Sequence, residues 1–269
     1  MDTIQVSIEA RGEEQEILVS ELSELGATGF EQTEELLIAY FPELDFNSYE
    51  VQKAIGSFIS HSILLKEENW NEVWEKNFQP VVVDQFCAVR ADFHESIPGV
   101  KHEIIITPKM SFGTGHHATT YMMMEQMKDI DFKGRRVFDF GTGTGILAIL
   151  AEKLGTENIM ATDIDTWSIE NAEENIRRNE CSRIRLSLSN VLPAGQFDII
   201  LANINRNVIL EYLSQLASIL IPGGKLLLSG LMVADEADIQ KACAQYGFRQ
   251  IKISERNNWI SILYCHGLP

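Results

Sequence analysis

The first 66 residues alternate strand-like and helix-like patterns of apolar side chains. "TIQVSIEA" alternates polar and apolar positions, as a half-buried strand does, and "ELLIAYFP" and "HSILLKEE" are two further strand-like runs. Between them, "EEQEILVSELSELG" and "NSYEVQKAIGSFIS" carry apolar side chains at helical spacing. Strand, helix, strand, helix, strand, with one extra strand near Phe30, predicts a small ferredoxin-like α+β domain over residues 1–66.

The next segment, "NWNEVWEKNFQP", predicts a linker helix over residues 67–80. Trp70, Trp74 and Phe78 lie four residues apart and so share one helix face, and Pro80 ends the helix. An aromatic stripe at this spacing is typical of core packing. Because the segment separates two regions of different composition, we interpret it as a connecting helix that packs on one or both of them.

Residues 81–269 follow a different pattern. Short apolar runs end in Gly, Asp, Asn or Pro: "HEIIITP", "RRVFDFG", "IMATDID", "FDIILANI" and "GKLLLSG". Helical stretches separate most of them, at residues 117–128, 145–154, 166–179 and 207–220. Near-continuous apolar strands that alternate with helices predict an α/β fold with a parallel sheet covered on both faces. The last run, "FRQIKISERNNWISILYC", predicts an antiparallel hairpin at the sheet edge.

Charge is distributed unevenly along the chain. The net charge is −17, and residues 1–65 hold thirteen acidic but only two basic residues, which is −11. Such a balance opposes broad binding to nucleic-acid phosphates. It fits either a solvated surface or a docking module for a basic partner, since complementary fields favour association.

The remaining composition predicts a reduced, cytoplasmic protein with no membrane contact. No apolar run is long enough to span a bilayer, and no basic segment followed by an apolar stretch begins the chain. The four cysteines have neither CxxC spacing nor the density of a disulfide framework. We take a monomer as the default.

The stretch "DFGTGTGILAI" places a glycine turn between a strand and a helix. Ligands of α/β sheets lie at such a position, beyond the carboxyl ends of the strands, where N–H groups that open the helix face them. Gly141, Gly143 and Gly145 give GxGxG, but with Ala148 the spacing also satisfies the dinucleotide fingerprint. Asp163 follows about twenty residues on, where it can hold a ribose diol. NAD and S-adenosylmethionine both carry such a ribose, so this pattern leaves both open.

Two further features are predicted to lie beside the glycine turn, in the crevice beyond the carboxyl ends of the strands. Asn203 ends the run "FDIILAN", and a buried amide there needs partners that a ligand can supply. Upstream, "SFGTGHHATT" combines a flexible glycine loop with Thr119 and Thr120 at the start of a helix. Adjacent histidines such as His116 and His117 rarely face one ion and no Cys or Asp completes a ligand set, so we predict no metal site.

"FGTGHHATT", "DFGTGTGILAI", "TDID" and "LANI", in this order and spacing, resemble the methyltransferases of large-subunit ribosomal protein eleven. The resemblance extends over nearly the whole chain, and "NWNEVWEKNFQP" is similar to the family's linker helix. One departure is Ala118, where many relatives have proline, which affects loop stiffness more than chemistry. The N-terminal module has no comparable motif, so its role in substrate recognition carries over by position only.

The resemblance implies a class I, Rossmann-like methyltransferase sheet with an antiparallel edge strand over residues 81–269, and S-adenosylmethionine as the cofactor. It implies cofactor contacts at Thr120, Gly141, Gly143, Asp163 and Asn203, with Phe112 near the cofactor on a loop that orders on binding. The implied substrate is a basic ribosomal protein, methylated on lysine side chains and its N-terminal amine.

Methyl transfer from a sulfonium to an amine needs neither a metal nor a covalent intermediate, so we expect no essential proton-transfer residue. We hypothesise that Asn203 also orients the incoming amine. Three alternatives remain: a NAD-dependent oxidoreductase, a methyltransferase acting on RNA or a small molecule, and a non-catalytic adaptor. The first leaves "FGTGHHATT" unexplained, the acid-rich first module argues against RNA, and the four intact crevice motifs argue against the adaptor.

Overall fold

The computed structural model describes residues 2–65, 78–109 and 111–267. Within the 269-residue chain, two compact units divide between residues 73 and 74. The predicted linker helix over 67–80 lies almost entirely outside the described residues. The domain limits 1–66 and 81–269 therefore stay predictions.

The described part of the N-terminal unit contains four strands and two α-helices. They are β1 (Thr3–Glu9), α1 (Glu13–Glu24), β2 (Gly29–Gln32), β3 (Leu36–Pro42), α2 (Ser48–Ile55) and β4 (Ser60–Leu65). The strands form one antiparallel sheet in the order β2-β3-β1-β4. This βαββαβ arrangement is ferredoxin-like, and the extra strand expected near Phe30 is β2.

Alternation along the strands builds the core of this unit. Val6 and Ile8 of β1 point the same way as Leu37, Ala39 and Phe41 of β3, because every second side chain of a strand shares a face. These side chains pack against apolar positions of both helices: Leu18, Leu22, Val51 and Ile55. The unit therefore has a hydrophobic core of its own.

The C-terminal unit contains ten strands and five helices in its described part. In chain order they are β5 (Val81–Val83), β6 (Cys87–Ala91), β7 (His102–Ile106), α3 (Ala118–Met127), β8 (Arg136–Phe140), α4 (Ile146–Lys153), β9 (Asn158–Asp163), α5 (Thr166–Arg178), β10 (Ile184–Leu188), β11 (Phe197–Asn203), α6 (Arg206–Ile219), β12 (Leu220–Met232), α7 (Glu236–Gln245), β13 (Phe248–Arg256) and β14 (Trp259–His266). Seven of the strands form one sheet, in the order β10-β9-β8-β11-β12-β14-β13.

This sheet is covered on both faces, as the apolar runs predict. Neighbouring residues of a strand belong to opposite cores: Val137 of β8 packs on one side and Phe138 on the other, and Ile199 and Ile200 of β11 divide in the same way. All four side chains are buried. Strands with two buried faces are apolar at nearly every position, which explains the near-continuous runs.

The C-terminal hairpin is also confirmed. Its strand β14 runs antiparallel between β12 and β13, which makes β13 the outermost strand. Asn257 and Asn258 form the turn with φ angles of 52° and 64°, the left-handed values that a tight two-residue hairpin needs. Among the described residues no helix has both the length and the apolar character needed to cross a membrane.

One strand prediction was wrong in its placement. "HEIIITP" contains β7, which does not join the main sheet but a separate three-stranded sheet in the order β5-β6-β7. Apolar patterning identifies a buried strand without saying which neighbour it pairs with. The strands β5, β6 and β10 and the helix α7 were not predicted from the sequence. Their apolar signal is weak in two cases: β10 has no fully buried side chain, and α7 buries only Ile239 and Cys243.

Candidate cofactor crevice

The glycine turn lies at the carboxyl end of β8, between that strand and α4. Gly141 and Gly143 have φ angles of 74° and 54°, which side-chain-bearing residues rarely adopt. A Cβ on Gly143 would lie 2.3 Å from the backbone oxygen of Phe112, and one on Gly141 would lie 2.4 Å from Cγ2 of Ile204. Glycine is therefore required here by the chain's own close packing.

The N–H groups of this turn do not face a ligand, contrary to our expectation from the sequence. The N–H groups of Gly141 and Thr142 both donate to the Thr162 carbonyl at 2.9 Å, and that of Gly145 donates to Thr142. Gly143 donates to Asp163 Oδ2 at 2.9 Å, and Thr144 donates to the Phe112 carbonyl at 3.0 Å. Every N–H of residues 141–145 thus has a partner within the protein.

Asp163 is the last residue of β9 and connects that strand to the glycine turn. Besides the bond to Gly143, its Oδ1 accepts from the N–H of Asp165 at 3.1 Å. A carboxylate can accept about four hydrogen bonds, so Asp163 keeps capacity for hydroxyl groups in the crevice. Asp165 caps α5 by accepting from the N–H groups of Trp167 and Ser168, which agrees with the capping role that its position suggested.

Asn203 ends β11 and makes one described hydrogen bond with its side chain. Its Nδ2 donates to Thr120 Oγ1 at 3.1 Å, while its Oδ1 is buried without a hydrogen-bond partner. Thr120 is fully buried and supports Asn203 from behind instead of lining the crevice. An unpaired buried acceptor costs about 1–3 kcal/mol, so Oδ1 is a site where a donor would be stabilised.

Three aromatic rings in successive contact form part of the crevice wall. Phe112, which is 53% exposed, lies 5.3 Å from His117 between ring centroids, and His117 lies 4.8 Å from Trp259. His117 also caps α3, and its neighbour His116 packs edge-on against Phe78. The two imidazoles therefore have separate structural partners. Arg256 holds the hairpin that carries Trp259, since its guanidinium lies 3.7 Å from the Tyr121 ring centroid.

These elements enclose a cavity of about 450 Å³, within the range of small-molecule sites. Four of the five predicted cofactor residues line it: Gly141, Gly143, Asp163 and Asn203. The lining residues to which sequence analysis assigned no cofactor role are His117, Thr119, Phe140, Ile164, Ser168, Ser189, Ile204, Asn205, Val208, Gly230 and Trp259. Ser189 follows β10, a strand that the sequence did not reveal, and Gly230 lies inside the long strand β12.

Asp139 brings a buried titratable group close to this crevice. Burial is the main cause that raises the pKa of Asp139 to about 7, the Asp163 carboxylate adds to the effect, and the hydrogen bond from Thr142 opposes it. The Thr142 hydroxyl donates to Asp139 Oδ2 at 2.6 Å. A carboxyl with this pKa is partly protonated at neutral pH, which limits the negative charge behind the turn.

The donor set and shape fit S-adenosylmethionine better than a dinucleotide. The N–H groups of residues 141–145 are all taken, so they cannot cradle a pyrophosphate as a dinucleotide site does. In addition, β14 runs antiparallel inside the sheet, whereas the dinucleotide-binding order is wholly parallel. Fold and crevice together define a class I, S-adenosylmethionine-dependent methyltransferase.

Comparisons with known proteins identify the family within that class. The family model described as "Ribosomal protein L11 methyltransferase" matches residues 2–266, and the chain belongs to this family. The chain is 39% identical to the ribosomal protein L11 methyltransferase of Porphyromonas gingivalis, covering 94% of this chain and 91% of the relative. It is 31% identical to that of Bacillus subtilis, covering 93% and 86%.

A solved structure agrees with this assignment. The ribosomal protein L11 methylase of Lactobacillus delbrueckii subsp. bulgaricus superposes with a TM-score of 0.66 at 30% identity, covering 71% of this chain and all of that one. Family, fold and crevice thus agree with the resemblance found in the motifs.

Gly143→Ala should weaken cofactor binding strongly, because a Cβ at 2.3 Å from the Phe112 carbonyl must displace the loop that walls the crevice. We expect at least about a tenfold loss of affinity for S-adenosylmethionine by calorimetry, the effect of one lost hydrogen bond or more. Gly134→Ala is the matched control: its φ of 68° imposes similar backbone strain, but a Cβ there meets no atom within 4 Å. Equal losses in both variants would contradict the prediction.

Asp139→Asn should change the pH dependence of unfolding. Because the native pKa of Asp139 is about 7 and an unfolded aspartate titrates near 3.9, the native state binds the extra proton between these values. The protonated Asp139 therefore contributes fully to the free energy of unfolding below pH 4. This contribution falls by about 1.4 kcal/mol per pH unit as the pH rises to 7. Urea titrations should show the variant gaining stability relative to the unaltered protein from pH 5 to 7. A constant difference would contradict the assignment.

Proposed function

We propose that this protein transfers methyl groups from S-adenosylmethionine to ribosomal protein L11, on lysine side chains and the N-terminal amine. The observation that carries the proposal is the crevice itself. It has a carboxylate for a diol at Asp163, a turn without free N–H groups at residues 141–145, and an unpaired acceptor at Asn203. The family named for this substrate matches residues 2–266.

When bound, S-adenosylmethionine supplies a methyl group on a positively charged sulfonium. The residues of this chain would bind the cofactor and orient it. Asp163 would accept from the ribose hydroxyls, Gly141 and Gly143 would let the backbone of the turn lie close to the methionine end, and Thr120 holds Asn203. Ile164 and Phe112, both more than half exposed, offer apolar surface beside these polar groups.

The incoming amine must be neutral to accept a methyl group. A lysine with a pKa near 10.4 is about three units too protonated at pH 7, so presenting it neutral costs about 4 kcal/mol. An α-amino group, with a pKa near 8, costs far less. Desolvation in the crevice lowers an amine's pKa, and Asn203 Oδ1 accepts an N–H of the neutral form. No further proton-transfer residue is assigned.

The N-terminal unit is proposed to capture the substrate. Its charge of −11 over residues 1–65 complements a basic ribosomal protein and opposes direct contact with nucleic acid. An open groove of about 810 Å³ lies between the β1–α1 region and the β2–β3 connection. Glu9, Glu14 and Glu34 line it, together with Arg11, which pairs with Glu35. We propose a monomer that acts in the cytoplasm, where its ribosomal substrate is made.

Two calorimetric titrations test the cofactor. Addition of S-adenosylmethionine should release binding heat, whereas NADH should not bind. Radiolabelled methyl transfer into unmodified ribosomal proteins, followed by mass spectrometry, then tests the substrate. Label in RNA, or preferred binding of NADH, would contradict the proposed function.

Asn203→Ala should lower turnover at saturating cofactor by about tenfold or more, because it removes the acceptor for the amine N–H. It should also weaken cofactor binding. Asn205→Ala is the matched control: Asn205 lines the same crevice, but its side chain is engaged in capping α6, where it accepts from the Val208 N–H at 3.1 Å. If Asn203→Ala weakened binding yet left turnover at saturating cofactor unchanged, the orienting role would be wrong.

Neutralising acidic side chains of the groove should weaken substrate capture. We expect the triple variant Glu9→Gln, Glu14→Gln, Glu34→Gln to raise KM for L11 and to reduce the salt dependence of kcat/KM, because fewer charges attract the substrate. Three exposed acidic residues of the C-terminal unit, changed as Glu157→Gln, Glu173→Gln and Glu211→Gln, provide the control at equal net charge. Equal salt dependence of both variants would argue against docking by the N-terminal unit.

A further inference from the structure

One face of α5, continued by its C-cap residue, carries asparagines at every fourth position: Asn171, Asn175 and the C-cap Asn179. The first two are fully buried. Polar amides at a helix–strand interface are costly unless their hydrogen bonds are made, so their partners define their purpose. Here the partners lie in β7 and the segment that follows it.

Along the edge of β7 that faces α5, the side-chain amides make the backbone hydrogen bonds that a neighbouring strand would make. Asn179 accepts from the Ile105 N–H at 3.0 Å and donates to the Ile105 carbonyl at 2.6 Å. One helical turn earlier, Asn175 Oδ1 accepts from the Thr107 N–H at 2.8 Å, and Asn171 Nδ2 donates to the Thr107 carbonyl at 3.4 Å. The pairing of every second backbone residue is what a neighbouring strand would supply.

An ionic cluster strengthens this attachment just beyond β7. Glu174 accepts from Thr107 Oγ1 and from Lys109 Nζ, each at 2.7 Å, and pairs with Arg178. Partial burial alone would raise the pKa of Glu174, but the hydrogen bonds from Lys109, Thr107 and Arg178 outweigh it and lower the pKa to about 2. The segment therefore enters the crevice loop from a fixed point on α5.

Asn175 differs from the other two amides because it also reaches the glycine turn. Its Nδ2 donates to the Thr144 carbonyl at 2.8 Å. Thr144, fully buried, in turn donates from its N–H to the Phe112 carbonyl at 3.0 Å and from its hydroxyl to the Gly113 carbonyl at 2.6 Å. Asn175 thus joins α5 to the residue after β7 and to the turn, and Thr144 extends this connection to the loop of residues 111–117.

We propose that Asn175 is a positioning residue for cofactor binding, which sets the loop of residues 111–117 against the crevice without touching the cofactor. The inference rests on the proposed function, because it assigns S-adenosylmethionine to the cavity that Phe112 and His117 line. An asparagine is required because the site needs an acceptor for Thr107 and a donor for Thr144 on one planar group.

Asn175→Asp tests the donor separately from the acceptor. The introduced carboxylate still accepts from Thr107 but opposes the Thr144 carbonyl. We expect about a tenfold higher dissociation constant for S-adenosylmethionine by calorimetry, as for one lost buried hydrogen bond. KM for the cofactor should rise while kcat at saturating cofactor stays unchanged. Affinity should recover as pH falls, since the protonated carboxyl can donate to Thr144 again.

Asn179→Asp is the matched control, because it is the same substitution one turn along the same face and does not reach Thr144. It should lower thermal stability and leave cofactor affinity unchanged. Without cofactor, hydrogen exchange of residues 111–117 should be faster in Asn175→Asp than in Asn179→Asp. If Asn175→Asp does not fold, Thr144→Val tests the next bond along, because it removes the hydroxyl that donates to the Gly113 carbonyl and leaves the bond between Asn175 and the Thr144 carbonyl in place. Unchanged cofactor affinity and unchanged exchange of residues 111–117 in that variant would overturn the positioning of the loop through Thr144.

The outcomes separate this inference from the proposed function. If the unaltered protein binds no S-adenosylmethionine, the proposed function fails. If it binds, but Asn175→Asp and Asn179→Asp lower stability alike and leave affinity and loop exchange unchanged, the positioning role is overturned. A pH-independent loss of affinity in Asn175→Asp would also contradict the role of the donor to Thr144.

Discussion

The hydrogen bond from the Gly143 N–H to the Asp163 carboxylate joins the turn after β8 to the end of β9, at the carboxyl edge of the sheet where the cofactor crevice lies. The rest of the crevice depends on the turn that this bond fixes. With Gly143 in its left-handed conformation, the Phe112 carbonyl can approach, and Thr144 can hold the loop beside it. The same bonds occupy the turn's N–H groups, which distinguishes this crevice from a phosphate-binding site of similar sequence.

Buried polar groups connect the separate parts of this architecture. Apolar packing builds two cores on the faces of the sheet, but it is not directional and cannot by itself place a loop to within an ångström. Side-chain amides supply that direction. Asn203 is held by Thr120, Asn175 bridges Thr107 and Thr144, and each bond is made in a water-poor setting where a misplaced partner is costly.

Chemistry and charge are divided between the two units of the chain. The crevice requires a neutral amine beside a sulfonium, so it presents amide and hydroxyl groups, and the titratable group behind it, Asp139, is partly protonated near pH 7. The N-terminal unit instead concentrates acidic side chains, as expected of a surface that attracts a basic protein before any amine is deprotonated. Under the proposed function, in which the N-terminal unit captures the substrate, capture and transfer can be optimised separately.

Local patterning determined much of this protein. Strict periodicity identified β1, α1 and the two-faced strands of the main sheet, and the spacing of Gly141, Gly143, Asp163 and Asn203 identified four residues of one cavity, because strand ends are local features. Tertiary structure alone decided the rest. It placed β7 in a second sheet, directed the N–H groups of the turn inward, put Thr120 behind Asn203 and brought Asn175 to Thr144, since pairing and hydrogen-bond partners far apart in sequence leave no periodic signal.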